Sequence, residues 1–165
     1  MLTIFPVGIE AIPVIRKIAH ESWKVAYKDI LEPGQMTYML AKFYDSNELA
    51  RQHNILKYET VLATDDDVSV GFATYSPKEN FTGIFRLHKI YVLPGEQGNG
   101  TGRRLMDYVI AEIQNQGANI LELNVNRQNK ARLFYEKLGF VRVCEEDIPI
   151  GNGYFMNDYV MQKVI

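Results

Sequence analysis

A group of glycines between a predicted strand and a predicted helix is the feature that most constrains the fold of this chain. Residues 84–92 are typical of a β-strand, Pro94-Gly95 ends it, and a glycine-rich turn leads into a predicted helix over residues 100–116. That helix has one apolar face, formed by Leu105, Val109 and Ile113. Backbone amides in such a turn and in the first helical turn lack partners, and the helix dipole adds to their attraction for an anion. The junction therefore predicts an α/β protein with an anion-binding loop.

Two well-known phosphate loops do not fit this stretch. A P-loop starting at Gly95 would need lysine where Thr101 stands. A dinucleotide fingerprint starting at Gly98 would need glycine where Arg103 stands, and it would normally open a fold instead of following ninety residues of other structure. The pattern that remains is Gln97-x-x-Gly100-x-Gly102.

The whole chain, residues 1–165, is predicted to form one domain, because it contains no repeat, low-complexity tract or linker. Pro33-Gly34 is predicted to break the chain, Ser46 to cap a helix, and the acidic residues 65–67 to form a hairpin turn. The predicted strands are 2–7, 60–64, 68–76, 84–92, 119–125, 140–145 and 154–164. The predicted helices are 9–27, 36–43, 46–56, 100–116 and 129–138.

Composition and charge exclude several classes of protein. A net charge of −2 without clustered Lys and Arg gives no electrostatic footprint for nucleic acid. No stretch approaches the ~20 apolar residues of a membrane span, and the first residues lack a basic region followed by a long apolar run, so we expect the cytoplasm. Cys144 is the only cysteine, which excludes an intramolecular disulfide and a cysteine-based zinc site. Its apolar neighbours predict a buried structural thiol in a strand.

A second motif lies downstream of the glycine turn. It runs from Leu123-Asn124-Val125-Asn126 through Asn129 to Phe134-Tyr135-Glu136-Lys137-Leu138-Gly139-Phe140. Together with Tyr91-Val92-x-Pro94 and Gln97-x-x-Gly100-x-Gly102, it resembles the signatures of the GCN5-related N-acetyltransferases. The resemblance implies an α/β (α+β) fold, with a mixed central sheet of about seven strands flanked by about four helices.

The resemblance also implies acetyl-CoA as co-substrate and no metal. The strand ending at Ile90, Tyr91 and Val92 should separate from the strand containing Asn124 and Asn126, and main-chain groups at the gap should bind the pantetheine. Asn126 and Asn129 should contact the pantetheine arm or nearby backbone. The pyrophosphate should be held by the amides of the turn: Gln97, Gly98, Asn99, Gly100, Thr101 and Gly102.

Two residues are candidates for the chemistry. Tyr135 matches the family tyrosine near the thioester sulfur, where a phenol can assist the departing thiolate. His88 stands where many relatives carry a glutamate that acts as general base or holds water, and imidazole could serve similarly. An ordinary polar strand residue is the equal alternative for His88. Strand alternation predicts His88 on one face with Ile90 and Val92, opposite Lys89 and Tyr91.

The acceptor is predicted to be a small cationic amine. The N-terminal helices and the segment from Ile150 to Lys163 resemble the bacterial spermidine/spermine acetyltransferase branch, and the acidic run 145–147 could attract a polycation. Another polyamine, an amino acid, a peptide N-terminus or an antibiotic amine stays open as acceptor. The resemblance is also compatible with a homodimer, with the last strand as an exchange point. The alternative from a different class is a non-catalytic acyl-CoA-binding sensor.

Overall fold

A single mixed sheet of seven strands organises the computed structural model, which describes residues 1–165. The strands are β1 (Leu2–Val7), β2 (Glu59–Asp65), β3 (Val68–Pro77), β4 (Ile84–Val92), β5 (Ile120–Asn126), β6 (Val141–Gly151) and β7 (Tyr154–Val164). Their order is β1-β2-β3-β4-β5-β7-β6, and every neighbouring pair is antiparallel except β4 and β5. The predicted α/β class and the seven strands are confirmed.

Five α-helices flank the sheet, one for each of the five helices predicted along the chain. They are α1 (Ile12–Ala26), α2 (Pro33–Phe43), α3 (Ser46–Asn54), α4 (Thr101–Asn115) and α5 (Ala131–Lys137). None of the helices combines the length and apolar character needed to cross a membrane.

Each face of the sheet carries its own apolar core, because side chains alternate along the strands. On one face α4 buries its predicted apolar side completely, with Leu105, Val109 and Ile113 all 0% exposed. On the other face α1, α2 and α3 pack around Trp23 and Phe72. Each large apolar side chain buried in these layers contributes about 1.5–3 kcal/mol to the stability of the fold. The two layers therefore fix the position of β4, which lies in the sheet between them.

Two helix starts differ from the predictions. Pro33-Gly34 opens α2 instead of breaking the chain, because proline at the first helical position has a suitable φ and needs no amide partner there. The cap of α3 is Asp45, not Ser46, since the Asp45 carboxylate accepts a hydrogen bond from the Glu48 amide at 3.1 Å. Ser46 is already the first residue of the helix.

The end of the sheet differs from the predictions as well. β6 continues to Gly151, so the acidic run 145–147 lies within a strand and not in a loop. Cys144 is exposed, not buried, because β6 is the edge strand and residues 141–147 are all solvent-accessible. The last strand, β7, lies inside the sheet between β5 and β6.

The capping of α3 gives the first prediction. Replacing Asp45 with Ala removes a side-chain acceptor from an exposed helix start and should lower the free energy of unfolding by about 1 kcal/mol. The matched variant Ser46→Ala, also exposed, should change it by less than about 0.5 kcal/mol. Urea denaturation of both variants measures the difference. A larger loss for Ser46→Ala than for Asp45→Ala would contradict the assigned cap.

Candidate active site

The centre of the sheet opens where β4 and β5 separate. Their parallel pairing covers only Ile84–Leu87 with residues 120–123. Beyond this point β4 stays paired with β3 as far as Val92, and β5 stays paired with β7 as far as Asn126. The two strands therefore turn unpaired edges toward each other from residues 88 and 124 onward. The separation expected from the resemblance is present.

A β-bulge changes the direction of His88. Leu87 pairs with Tyr75 and Lys89 pairs with Thr74, so His88 is the extra residue in β4. As a result His88 lines the same cavity as Lys89 and Tyr91, whereas Ile90 packs against the core on the other face. The predicted grouping of His88 with Ile90 and Val92 is wrong, because simple alternation does not allow for the inserted residue.

The turn after β4 presents a row of free amides. No backbone amide of residues 98–103 donates to another backbone group, and the first bond of α4 is from the Arg104 amide to the Gly100 carbonyl. Gly98 and Gly100 have φ of +89° and +78°, and a Cβ at either would meet nothing within 4 Å. The Gly102 position is different, since a Cβ there would lie 3.5 Å from Phe134 Cζ. Six consecutive amides at a helix N-terminus form a site that suits phosphate oxygens.

Gln97 lies at the start of this turn. Its Nε2 lies 3.5 Å from the Val92 carbonyl oxygen at the end of β4. The Ser22 hydroxyl donates to the same carbonyl at 3.2 Å, which ties α1 to the open edge. Asn99 and Thr101 complete the predicted loop, and Thr101 is buried as the first residue of α4.

A cavity of about 320 Å³ lies beside the opening. Its wall is mostly aromatic and apolar, and its polar members include Arg86, His88, Lys89, Asn124 and Asp158. The aromatic members are Trp23, Tyr27, Phe43, Tyr44, Tyr58, Tyr91 and Phe155. Asn126 from the end of β5 also contributes to the wall. The structure thus brings three of the predicted site residues, His88, Tyr91 and Asn126, to one cavity. For His88 and Tyr91 this differs from simple strand alternation, which places them on opposite faces.

His88 is held as a neutral ring. Its Nε2 shares a hydrogen bond with the Ser76 hydroxyl at 2.7 Å, and its ring stacks on Tyr58 with centroids 4.0 Å apart. Burial, together with the charges of Lys89 and Arg86, lowers the pKa of His88 to about 3. A group with this pKa has little tendency to take a proton from an ammonium ion. The environment therefore favours the structural alternative for His88 over the general base.

Asp158 is a site residue that sequence reasoning missed. It is 3% exposed, lines the cavity, and faces Asn126 across the β5–β7 pairing. Burial raises its pKa, and a 3.3 Å hydrogen bond from Asn124 opposes that rise. The available signal was a carboxylate inside an apolar strand, but only the register of β7 against β5 places it at the opening.

Tyr135 lies on α5 and is not among the residues that line the cavity. It is 8% exposed and packs between Phe134 and Phe140, with centroid distances of 5.5 and 5.8 Å. Burial raises the pKa of the phenol, and nearby Tyr27 raises it further. The hydroxyl therefore remains protonated at neutral pH and can act as a hydrogen-bond donor.

The two predicted asparagines shape the connection between β5 and α5. Asn126 Oδ1 accepts from the Gln128 amide at 2.9 Å, and Asn129 Oδ1 accepts from the Ala131 amide at 2.9 Å. Their side-chain oxygens thus contact nearby backbone, which was one of the two expected roles. These bonds fix the start of α5 and hence the position of Tyr135.

Comparison with known proteins agrees with this geometry. Residues 28–162 match the family described as an acetyltransferase (GNAT) domain, and the chain belongs to that family. The L-amino acid N-acyltransferase MnaT of Escherichia coli (strain K12) is 31% identical over 87 residues, covering 51% of this chain and 51% of MnaT. The L-methionine sulfoximine/L-methionine sulfone acetyltransferase of Salmonella typhimurium is 33% identical over 95 residues, covering 55% and 54%. The chain spans about half the length of these curated relatives.

The fold also matches a solved structure over its full length. The PaiA N-acetyltransferase from Thermoplasma acidophilum, in complex with coenzyme A, superposes with a TM-score of 0.82 at 24% identity. The superposition covers 100% of this chain and 99% of that one. This likeness establishes a shared fold.

Proposed function

We propose that the protein is an acetyl-CoA-dependent N-acetyltransferase that transfers acetyl directly to a small amine. The observation that carries the proposal is the row of free amides at residues 98–103, next to the unpaired edges of β4 and β5. Family membership and the coenzyme A complex of the Thermoplasma protein support it.

The residues at the opening fit the parts of acetyl-CoA. The free amides of residues 98–103 would hold the pyrophosphate, and main-chain groups of Ile90, Tyr91 and Val92 would bond the pantetheine as an added strand. Bound there, acetyl-CoA supplies an activated acetyl thioester.

Two buried side chains then act on the transfer. Asp158 takes a proton from the acceptor ammonium, which leaves a neutral nitrogen to attack the acetyl carbon. Burial raises the pKa of this carboxyl and so improves its match to the task. As the carbon–sulfur bond breaks, the protonated Tyr135 phenol donates a hydrogen bond to the leaving thiolate.

The identity of the acceptor is a separate and more specific proposal. The prediction of a polyamine acceptor relied partly on the acidic run of β6. In the structure this run is partly neutralised, because Arg127 pairs with Asp147 at 2.6 Å and lies 4.0 Å from Glu145. The names of the two curated relatives specify amino acids and amino acid derivatives as acceptors. We therefore place amino acids before polyamines in the acceptor screen.

The central test separates an enzyme from an acyl-CoA sensor. The protein should release coenzyme A thiol from acetyl-CoA with at least one amine from a panel of amino acids, polyamines, short peptides and aminoglycosides. Tyr135→Phe should lose about ten-fold or more in kcat with unchanged acetyl-CoA affinity, because a donor to the thiolate is missing. The matched variant Cys144→Ala should keep full activity, since Cys144 is on the exposed edge strand. Tight acetyl-CoA binding without turnover on any amine would favour the sensor.

The phosphate site gives a binding prediction. Gly100→Val puts a β-branched residue at φ of +78° and covers the turn amides, so acetyl-CoA affinity should fall about ten-fold or more by calorimetry. Gly95→Val is the control, because Gly95 lacks a left-handed φ and its Cβ would meet nothing within 4 Å. Equal affinities of the two folded variants would place the pyrophosphate elsewhere.

The proposed base gives a pH prediction. The Asp158 carboxylate must be ionised to accept a proton, so kcat/KM should fall as pH drops through its raised pKa. Asp158→Asn should lose most of kcat together with this acid limb. His88→Asn should retain the acid limb, because the His88 ring is already neutral across that range. Loss of the limb in His88→Asn and its persistence in Asp158→Asn would reverse the two assignments.

A further inference from the structure

The charge inside the cavity is unevenly balanced. Of its two cationic side chains, Arg86 is matched by protein groups: Arg86 Nη1 lies 2.5 Å from Glu122 Oε2, and Nη2 donates to Asn124 Oδ1 at 2.6 Å. The Glu122 carboxylate also accepts from Lys78, so this network is complete within the protein. Arg86 therefore has little free charge to offer a ligand.

Lys89 is the other cation, and it has no matching carboxylate. Its Nζ donates to the side-chain carbonyl of Gln52, which is neutral, and it lies 5.6 Å from the ring centroid of Tyr44 and 6.0 Å from that of Tyr58. Glu48 is the acidic residue that acts on Lys89 from α3, but its two oxygens bond the Arg51 guanidinium at 2.9 Å each. Burial lowers the pKa of Lys89 to about 8.

A second donor in the cavity wall is incompletely satisfied by the protein. Trp23 is 5% exposed, and its indole Nε1 makes no hydrogen bond of good geometry in the protein, although the Tyr44 hydroxyl lies near it. An indole N–H can only donate, so the group that satisfies it must be an acceptor. Lys89 and Trp23 line the same cavity, and both can donate to an electronegative group of a ligand.

We propose that Lys89 binds a carboxylate of the acceptor, so that the substrate is an amine that also carries an acid group, as an α-amino acid does. A ligand carboxylate supplies the counter-charge that a buried ammonium lacks. A polyamine would instead bring several positive charges toward Lys89 in a weakly solvated cavity, where like charges repel strongly. This assignment rests on the proposed acetyltransferase function and narrows its acceptor.

The test compares amino acids with the amines that remain after removal of the carboxylate. L-leucine, L-methionine and L-phenylalanine are paired with isoamylamine, 3-(methylthio)propylamine and phenethylamine. With the wild-type protein, kcat/KM for at least one amino acid should exceed that of its amine by about thirty-fold or more, the size expected for a desolvated charge pair. Spermidine should be a poorer acceptor than that amino acid.

The variants locate the effect. Lys89→Met should lower kcat/KM for the amino acid about thirty-fold while leaving the paired amine within about three-fold, which removes the discrimination. Lys89→Arg keeps a positive charge and should recover part of the discrimination. Lys24→Met removes an exposed lysine of α1 and should leave both values unchanged.

Three results would overturn the proposal: equal use of amino acids and their amines by the wild type, equal losses for both in Lys89→Met, or a preference for spermidine. Calorimetric titration of the same ligands into the protein saturated with coenzyme A distinguishes a failure of the carboxylate site from a failure of the proposed acetyltransferase function. A carboxylate preference in binding that Lys89→Met abolishes, without thiol release, would reject the acetyltransferase and retain the carboxylate site. Thiol release without carboxylate preference would reject the carboxylate site and retain the acetyltransferase.

Discussion

The separation of β4 from β5 is the constraint on which the rest of the structure depends. A paired strand satisfies its backbone groups, and a strand that diverges from its neighbour leaves them available. Here the divergence is enforced from both sides, because β3 holds β4 to Val92 while β7 holds β5 to Asn126. The glycine turn at the end of β4 then adds six more free amides. Backbone groups, more than side chains, therefore define the binding surface.

Around this opening, burial favours the neutral form of three ionisable groups. It lowers the pKa of His88 to about 3 and of Lys89 to about 8, and it raises the pKa of Asp158. In every case the neutral form is favoured, as expected in a cavity with little water. The same environment helps an acceptor amine to lose its proton and react as a neutral nucleophile. It also leaves the charge on Lys89 without a matching carboxylate, which is the basis of the proposed carboxylate-bearing acceptor.

Much of the fold followed from the sequence because its signals are local. The β4–turn–α4 unit and the α5 segment ending at Gly139 depend on glycine positions and helical periodicity within short windows, and both formed as predicted. The errors came from information that is not local. The bulge at His88 depends on how β3 and β4 align, and the exposure of Cys144 depends on β6 being an edge strand.

Asp158 was missed in the sequence for the same reason, because only the pairing of β7 with β5 brings it to the cavity. The choice of Asp45 over Ser46 as cap is a smaller case, in which two adjacent residues have similar preferences and the path of the chain decides. Family motifs pointed to the turn and to Tyr135, whereas the position of Asp158 in the cavity wall required the structure.

Backbone amide exchange with and without acetyl-CoA tests the account most directly. If the ligand occupies the opening, the amides of residues 98–103 should become protected, together with the unpaired edge of β4 near Ile90 to Val92. Amides of β1 and β2, far from the opening in the sheet order, should not change. Protection confined to other parts of the chain, with residues 98–103 exchanging as before, would contradict the claim that the separated strands and the glycine turn form the acetyl-CoA site.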